Sequence, residues 1–357
     1  MPQKFLAATN ITNGLSVWPW DENYPTGFGT VFGSPASALV NYSTGSYTPR
    51  FNSNGSALLC ATQGSPYVQG YQFSSSGLGT KYSNPATLPS VSTGLSFGND
   101  SEVFVSGSSG QFMWSYPFSS SSGFGARYFA ASSQSARSVI ANSTSVFFST
   151  VTSPFIVMYP RTNPGFGTKF ANPGVLPGAP STAAASRGSS IGLSSTDVIV
   201  SQATTPFYSV YPWTAVGGFG TKYTTPSLGA PTSGLSVAFN KTGTAVAVGG
   251  SAGTPSAYFR VAPWTTGTGP GTAYSNPSSL PASNICSIVF DTASIAVTMQ
   301  STNYLSAWQF DTTTGFGNKY SDSVGGYGGY SVGLGQIPTA ISMTANVALF
   351  ALTGIAS

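Results

Sequence analysis

The chain has 357 residues, of which only 6% are charged, with 43 glycines, 25 prolines, 13% aromatics and a formal charge of +4. An ordinary soluble domain carries roughly 25% charged residues; a disordered chain would be poorer in aromatics, and a helical one richer in Ala, Glu, Lys and Leu. So few ionised groups give no support to nucleic-acid binding, and the absence of histidine excludes Ser-His-Asp and Cys-His catalysis and His-based zinc or di-iron sites.

The opening "MPQKFLAATN" lacks a charged region followed by an apolar stretch and a small-residue cleavage site. The longest apolar run, near "VALFALTGIA", is too short to cross a bilayer. The expectation is a soluble protein without an export signal or membrane insertion.

Along the chain, seven glycine-rich tripeptides stand at matching places, beginning at Gly27, Gly77, Gly123, Gly165, Gly218, Gly269 and Gly315, at spacings of 42 to 53 residues. Upstream of each lies an apolar segment with an aromatic ending: "LSVWPW", "VQGYQF", "FMWSYPF", "FIVMYP", "FYSVYPW", "AYFRVAPW" and "LSAWQF". All six tryptophans fall in these segments. Downstream, the third residue past the tripeptide is always aromatic: Phe32, Tyr82, Tyr128, Phe170, Tyr223, Tyr274 and Tyr320. Packing is the reason to hold that position constant. A turn of the "SNP" type follows, which Asn and Pro favour through local hydrogen bonding and a preset φ, and then two further β-like runs. The clearest copy is "GLSVAFNKTGTAVAVGG", with a strand to Phe239, a turn at "NKTG" and a strand from Ala245 to Val248.

Each unit thus reads as four short strands joined by turns, with no helical periodicity. Such units at this period build a β-propeller. The expectation is an all-β, seven-bladed β-propeller of four-stranded antiparallel blades, one domain over residues 1–357, with the ring closed by the N- and C-terminal segments. The chain reads as opening with the last two strands of one blade and ending with the first two, and "FLAAT" is left as an extra strand or a competing closure. An open solenoid, the alternative, requires polar caps that neither terminus shows.

The stretches "GLGTKYSNPATLPS" and "GFGTKYTTPSLGAPTSGLSVAFNKTGTAVAVGG" resemble the WD-repeat-like propeller repeats encoded by tailed bacteriophages. The resemblance covers essentially the whole chain but weakens where the basic residue becomes Val31 or Ala273 and where the turn after Tyr128 is lost. The Trp-Asp ending and the histidine of true WD repeats are absent. It implies a propeller of phage origin acting as a virion or adhesion component.

Enzyme signatures are sparse. There are eight carboxylates, Asp21, Glu22, Asp100, Glu102, Asp197, Asp291, Asp311 and Asp322, and a propeller glycosidase needs two or three converging at one mouth. Asp21/Glu22 and Asp100/Glu102 read as solvated turn residues, and Asp311 with Asp322 does not match an ordered calcium loop. "GTGPGTAYS" lacks the Lys-Ser/Thr ending and helix of a phosphate loop. Six strings of the Asn-x-Ser/Thr type carry no weight without an export signal. Cys60 and Cys286 lie in apolar runs of non-neighbouring units and read as free buried thiols. No catalytic residue, metal site or cofactor is expected.

Five of the twelve Lys and Arg occupy one repeat position, directly before the constant aromatic: Lys81, Arg127, Lys169, Lys222 and Lys319. They would ring the disc, either as a belt for an acidic partner or as edge charges that discourage strand pairing with another chain. Trp20, Trp213 and Trp264 read as packing between blades, while Tyr24, Tyr42, Tyr47, Tyr327 and Tyr330 are candidate loop-tip sugar contacts. The functional expectation is a non-enzymatic structural protein of a bacteriophage particle, a capsid decoration or tail-associated scaffold, with a carbohydrate-binding adhesin as the alternative. Its partners would be other virion proteins and host glycan, without nucleic acid, and its location the virion, assembled in the host cytoplasm.

Overall fold

In the computed structural model, described apart from residues 1–3, 11–13, 24, 26, 33–45, 63, 109–111, 130–133, 163, 182–189, 226–227, 229–232, 252–257, 282, 300–304, 322–339 and 344–357, seven antiparallel sheets follow one another round a ring. Blade 2 runs outward through Ser46–Phe51, Ala57–Thr62, Val68–Ser74 and Gly77–Lys81. Blade 3 repeats the order from Ser92–Asn99, blade 5 from Ile191–Leu193, blade 6 from Ser233–Phe239 and blade 7 from Ile285–Phe290, while blade 4, from Ala136–Ala141, has three strands and a single bridge, Arg161 to Phe166, at the outer position. The innermost strand of each blade contacts that of the next, through to blade 1 and back to blade 2. The seven-bladed propeller is therefore the architecture observed.

Ring closure is three strands plus one, not two plus two. Blade 1 is built from Ala340–Met343 innermost, then Lys4–Asn10, Gly14–Asp21 and Gly27–Phe28. Leu6 pairs with Met343 and Thr9 with Ala340. "FLAAT" is thus the second strand of the closing blade, and "VALFAL" lies outside the described residues. Joining both ends in one sheet hides two strand edges that would otherwise offer pairing to other chains.

The repeated motif is the seam between blades. Gly77 has φ +105, and a Cβ there would lie 2.8 Å from Phe32 of blade 1. The same relation carries Tyr82 to Gly123, Phe170 to Gly218 and Tyr274 to Gly315, and finally Tyr320 of blade 7 to Gly27 of blade 1. The tyrosine hydroxyls extend the contact: Tyr82 donates to Ser120 O (2.7 Å) and Tyr320 to Glu22 O (2.8 Å), each in the next blade. A second set of bonds docks the crossing segments, with Tyr116 donating to Thr87 O, Tyr211 to Val175 O and Trp308 to Ser279 O.

The tryptophans pack as expected. Trp20, Trp213 and Trp264 are buried and meet Tyr320, Phe147 and Tyr223 of neighbouring blades edge to face, with centroids 4.9–5.1 Å apart, a geometry the ring quadrupoles favour. The hairpins between first and second strands are capped by asparagine: Asn240 Oδ1 accepts from Thr244 N and Ala245 N, and Asn142 Oδ1 from Thr144 N and Ser145 N. The Asn-x-Ser/Thr strings at Asn54, Asn99, Asn142 and Asn240 are these turns.

These seams set an alkaline limit. Burial pushes the Tyr82 and Tyr320 phenols up to about 12 from 10.0, Glu22 and Asp21 adding to the shift at Tyr320. At Lys4 burial alone would lower the pKa, but Asp291 and Glu22, each 2.7 Å from Nζ, outweigh it and raise it above 10.5. All three groups hold their protons more tightly folded than unfolded, so stability is full below about pH 10 and falls as pH rises through the folded values. Melting temperatures measured from pH 8 upward should stay level to about pH 10 and then drop in step with phenolate absorbance. A flat profile to about pH 12 would contradict the assignment.

Candidate functional site

The first strands of all blades converge on the axis, and their alternating pattern puts one residue of each at matched height. Register against the second strands aligns Arg50 with Leu59, Ser96 with Phe104, Ile140 with Phe147, Gly192 with Ile199, Ala238 with Ala247 and Val289 with Ala296. Here a cavity of about 230 Å³ opens, lined by Arg50, Ile140, Ile191 to Leu193, Val237 to Phe239 and Ser287 to Phe290. Among these residues Arg50 carries the only charge, and Ser287 the only other polar side chain. The free edges of the first strands add main-chain N–H and C=O groups.

Arg50 is half-buried, and its Nη1 donates to Pro49 O at 3.0 Å. Desolvation lowers its pKa from 12.5 to about 10, so it stays a cation at neutral pH. The described lining residues include no carboxylate.

The described carboxylates lie elsewhere, on the hairpin turns of one face or inside blade-to-blade contacts. Asp21 and Asp100 bind turn residues as expected, accepting from Asn23 N and Ser53 N, and Asp311 accepts from Thr313 N in its own turn. Glu102 departs from the solvated-turn expectation. It is fully buried, takes Arg161 Nη2 at 2.7 Å and Nε at 3.1 Å on one oxygen, and takes Gly165 N at 2.7 Å on the other. Asp197, also buried, accepts from Tyr223, Thr196, Thr266 and the Trp264 indole. Asp291 pairs with Lys4 across the closing seam. Among the described residues no group of three or more Cys, Asp or Glu could hold a metal; Asp322 lies outside them.

The basic positions sit on the outermost segments, far round the rim from one another and away from the cavity. Lys81 opposes Tyr71 and Lys319 opposes Trp308 in register. Lys81 donates to Gln69 Oε1 (2.7 Å) and Lys169 to Asn172 Oδ1 (3.0 Å), and burial lowers the pKa of Lys81 and Lys222. Arg127 lies in the same outer segment of blade 3, just before Tyr128. Of the loop-tip tyrosines, Tyr24, Tyr42, Tyr327 and Tyr330 lie outside the described residues. Tyr47 belongs to the innermost strand of blade 2, not to a loop tip. Cys60 and Cys286 are buried free thiols, pushed up in pKa by burial.

Arg50 was not singled out from the sequence. The available signal was one charge in "SYTPRF" at a position where the matching strands carry Ser96, Ile140, Gly192, Ala238 and Val289, visible only once the first strands are aligned.

No protein-family model and no curated protein sequence matches this chain. Among solved structures it is similar to a periplasmic gluconolactonase of Pseudomonas aeruginosa, with 14% identity, TM-score 0.66, and 96% of this chain and 99% of that one covered. A candidate 6-phosphogluconolactonase from Bacteroides uniformis matches at 10% identity and TM-score 0.64, covering 96% and 100%. The propeller of Dos1 matches at 12% identity and TM-score 0.56, covering 94% and 88%. At these identities the likeness establishes the fold. It nevertheless corrects the functional expectation. Structures aligned over nearly the whole chain include a gluconolactonase, so the fold is no argument for a non-enzymatic phage particle component or an adhesin. Phage origin and the WD-repeat likeness gain no support from these matches.

Proposed function

We propose that this propeller hydrolyses a lactone in its central cavity, with Arg50 stabilising the oxyanion formed on the carbonyl. The observation that carries the reading is the Arg50 guanidinium in the lining of the axial cavity; the support from comparison is the gluconolactonase among structures of this shape. Water adds to the lactone carbonyl carbon, and the resulting negative oxygen faces Arg50. The ring C–O bond then breaks, the departing alkoxide takes one proton of the attacking water, and the hydroxy acid so formed releases the other to solvent to give the hydroxycarboxylate. The described lining residues include no carboxylate or imidazole to act as base, so the acceleration rests on electrostatic stabilisation by the guanidinium.

Loss of one such donor typically costs about 10²–10³ in rate. Arg50→Gln should lower kcat/KM for lactone hydrolysis by that order, measured by pH-stat after subtraction of the spontaneous rate, with Arg50→Lys retaining part of the activity. Wild-type protein that leaves the spontaneous hydrolysis of both sugar and alkyl lactones unchanged would end this reading.

A further inference from the structure

We infer that one flat face of the disc docks on an anionic lipid surface, without spanning it. The inference is independent of the hydrolytic reading. In an up-and-down blade, the turns joining first to second and third to fourth strands lie at one face. The loops joining second to third strands lie at the other, with the segments that cross to the next blade. Charge divides between these faces. Seven of the eight carboxylates are described, all but Asp322, and every one of them stands on or next to a turn of the first face. Four cations share that half: Lys4, Arg50, Arg161 and Lys241.

Of the other eight Lys and Arg, Arg187 lies outside the described residues and seven occupy the crossing-segment half, where none of the described carboxylates lies. Arg137 and Arg260 are each the second residue of a strand that starts there. The five repeat cations, from Lys81 to Lys319, come last in the outer segments, directly before the aromatic at which the crossing departs. Partners draw their heads the same way. Lys169 Nζ donates to Asn172 and Arg260 Nη1 to Asn276, both on crossing segments, and Lys81 Nζ reaches Gln69, second residue of a strand that begins at that face.

Exposed hydrocarbon follows the cations. Among the described residues five large apolar side chains are exposed, and four of them are on the cationic half: Tyr128, Val175, Leu176 and Leu280. Each lies beside charge. Tyr128 follows Arg127, Val175 and Leu176 share a crossing segment with Asn172, the partner of Lys169, and Leu280 shares one with Asn276, the partner of Arg260. The fifth, Val216, is in a turn of the other face. These groupings belong to blades 3, 4 and 6 and converge on no one point, so they build no pocket for a small anion. They fit a partner that is itself broad and negative. A soluble polyanion would use the charges and leave the hydrocarbon bare, whereas an anionic bilayer takes the charges at its headgroups and the apolar side chains in the zone just beneath. Docked in this way, the disc keeps Arg50, next to the first turn of blade 2, on its solution side.

The test is co-sedimentation of the full chain with vesicles of phosphatidylcholine alone and of an equimolar mixture with phosphatidylglycerol, beside retention on heparin. Binding is expected to the mixed vesicles only, and to fall at high salt. Each cation lost from the docking face should weaken it about fivefold, so Lys169→Gln with Lys222→Gln should cost about 25-fold, while Lys241→Gln on the opposite face should stay within about twofold of wild type. Val175→Ser with Leu176→Ser should weaken vesicle binding about tenfold and leave heparin retention unchanged; Val216→Ser should alter neither. All six substituted positions are exposed or half-buried, so the variants test the surface and not the core. Absence of binding to the mixed vesicles overturns the inference, as does an equal loss from Lys241→Gln and Lys169→Gln. Vesicle binding that ignores Val175→Ser with Leu176→Ser, matched by equal retention on heparin, also overturns it and makes the face a site for soluble polyanions. None of these outcomes bears on lactone hydrolysis, which Arg50→Gln tests separately.

Discussion

Arg161→Met is expected to lower the free energy of unfolding by about 3–5 kcal/mol, because it strands a buried carboxylate. Glu102 is fully buried on the second strand of blade 3, and Arg161 reaches it from blade 4 with two donors on one oxygen. The guanidinium also donates to Asn142 O and lies 5.4 Å from the centre of the Phe104 ring. Removing it leaves Glu102 with the Gly165 amide as its remaining partner among these contacts. The loss should show as a lower urea midpoint with little change in slope. Adding Glu102→Gln to Arg161→Met should recover a good part of it, since a neutral amide oxygen still accepts from Gly165 and no bare charge is left. A single variant within about 1 kcal/mol of wild type would mean that water reaches Glu102 and that the pair is not buried.

Gly77→Ala is the second large effect, and Gly79→Ala two residues later is its control. Gly77 has φ +105, and its Cβ would lie 2.8 Å from the Phe32 ring. The backbone penalty is about 1–3 kcal/mol and the overpacking adds about 1–3 kcal/mol, so a loss of roughly 3–4 kcal/mol is expected. At Gly79 the nearest atom to a new Cβ is Gln72 Cβ at 3.4 Å and no positive φ is present, so the cost should stay below about 1 kcal/mol. Equal effects at the two positions, read as denaturation midpoints, would show that the tripeptide is constrained as a turn and not as a blade seam.

Most of the fold was legible because the repeat writes the same local instructions seven times. The constant aromatic and the first glycine of the next tripeptide proved to be the two halves of one contact, Phe32 with Gly77 and Tyr320 with Gly27. The "NKTG" turn lies where Asn240 caps it. The terminal arithmetic was less legible. "KFLAATN" has no tripeptide beside it to set its place, so its role as second strand of blade 1 is settled by its ladder with Gly14–Asp21 and Ala340–Met343.

The candidate site was scarcely legible at all. Repeat-position reasoning drew attention to Lys81, Arg127, Lys169, Lys222 and Lys319, which share a register but diverge round the rim. Arg50 occurs once and breaks no motif, and its place beside the axial cavity follows from ring closure, not from the repeat.

The sequence by itself determined the strand count, the period and the seam, since these depend on alternation, turn chemistry and spacing within some fifty residues. Tertiary structure alone decided which charges lose their water. Glu102 meets Arg161 59 residues away, and Arg50 shares a cavity with Val289 only because seven blades close round one axis. Burial and convergence are properties of the closed ring, and they govern both the stability of the Glu102–Arg161 pair and the chemistry open to Arg50.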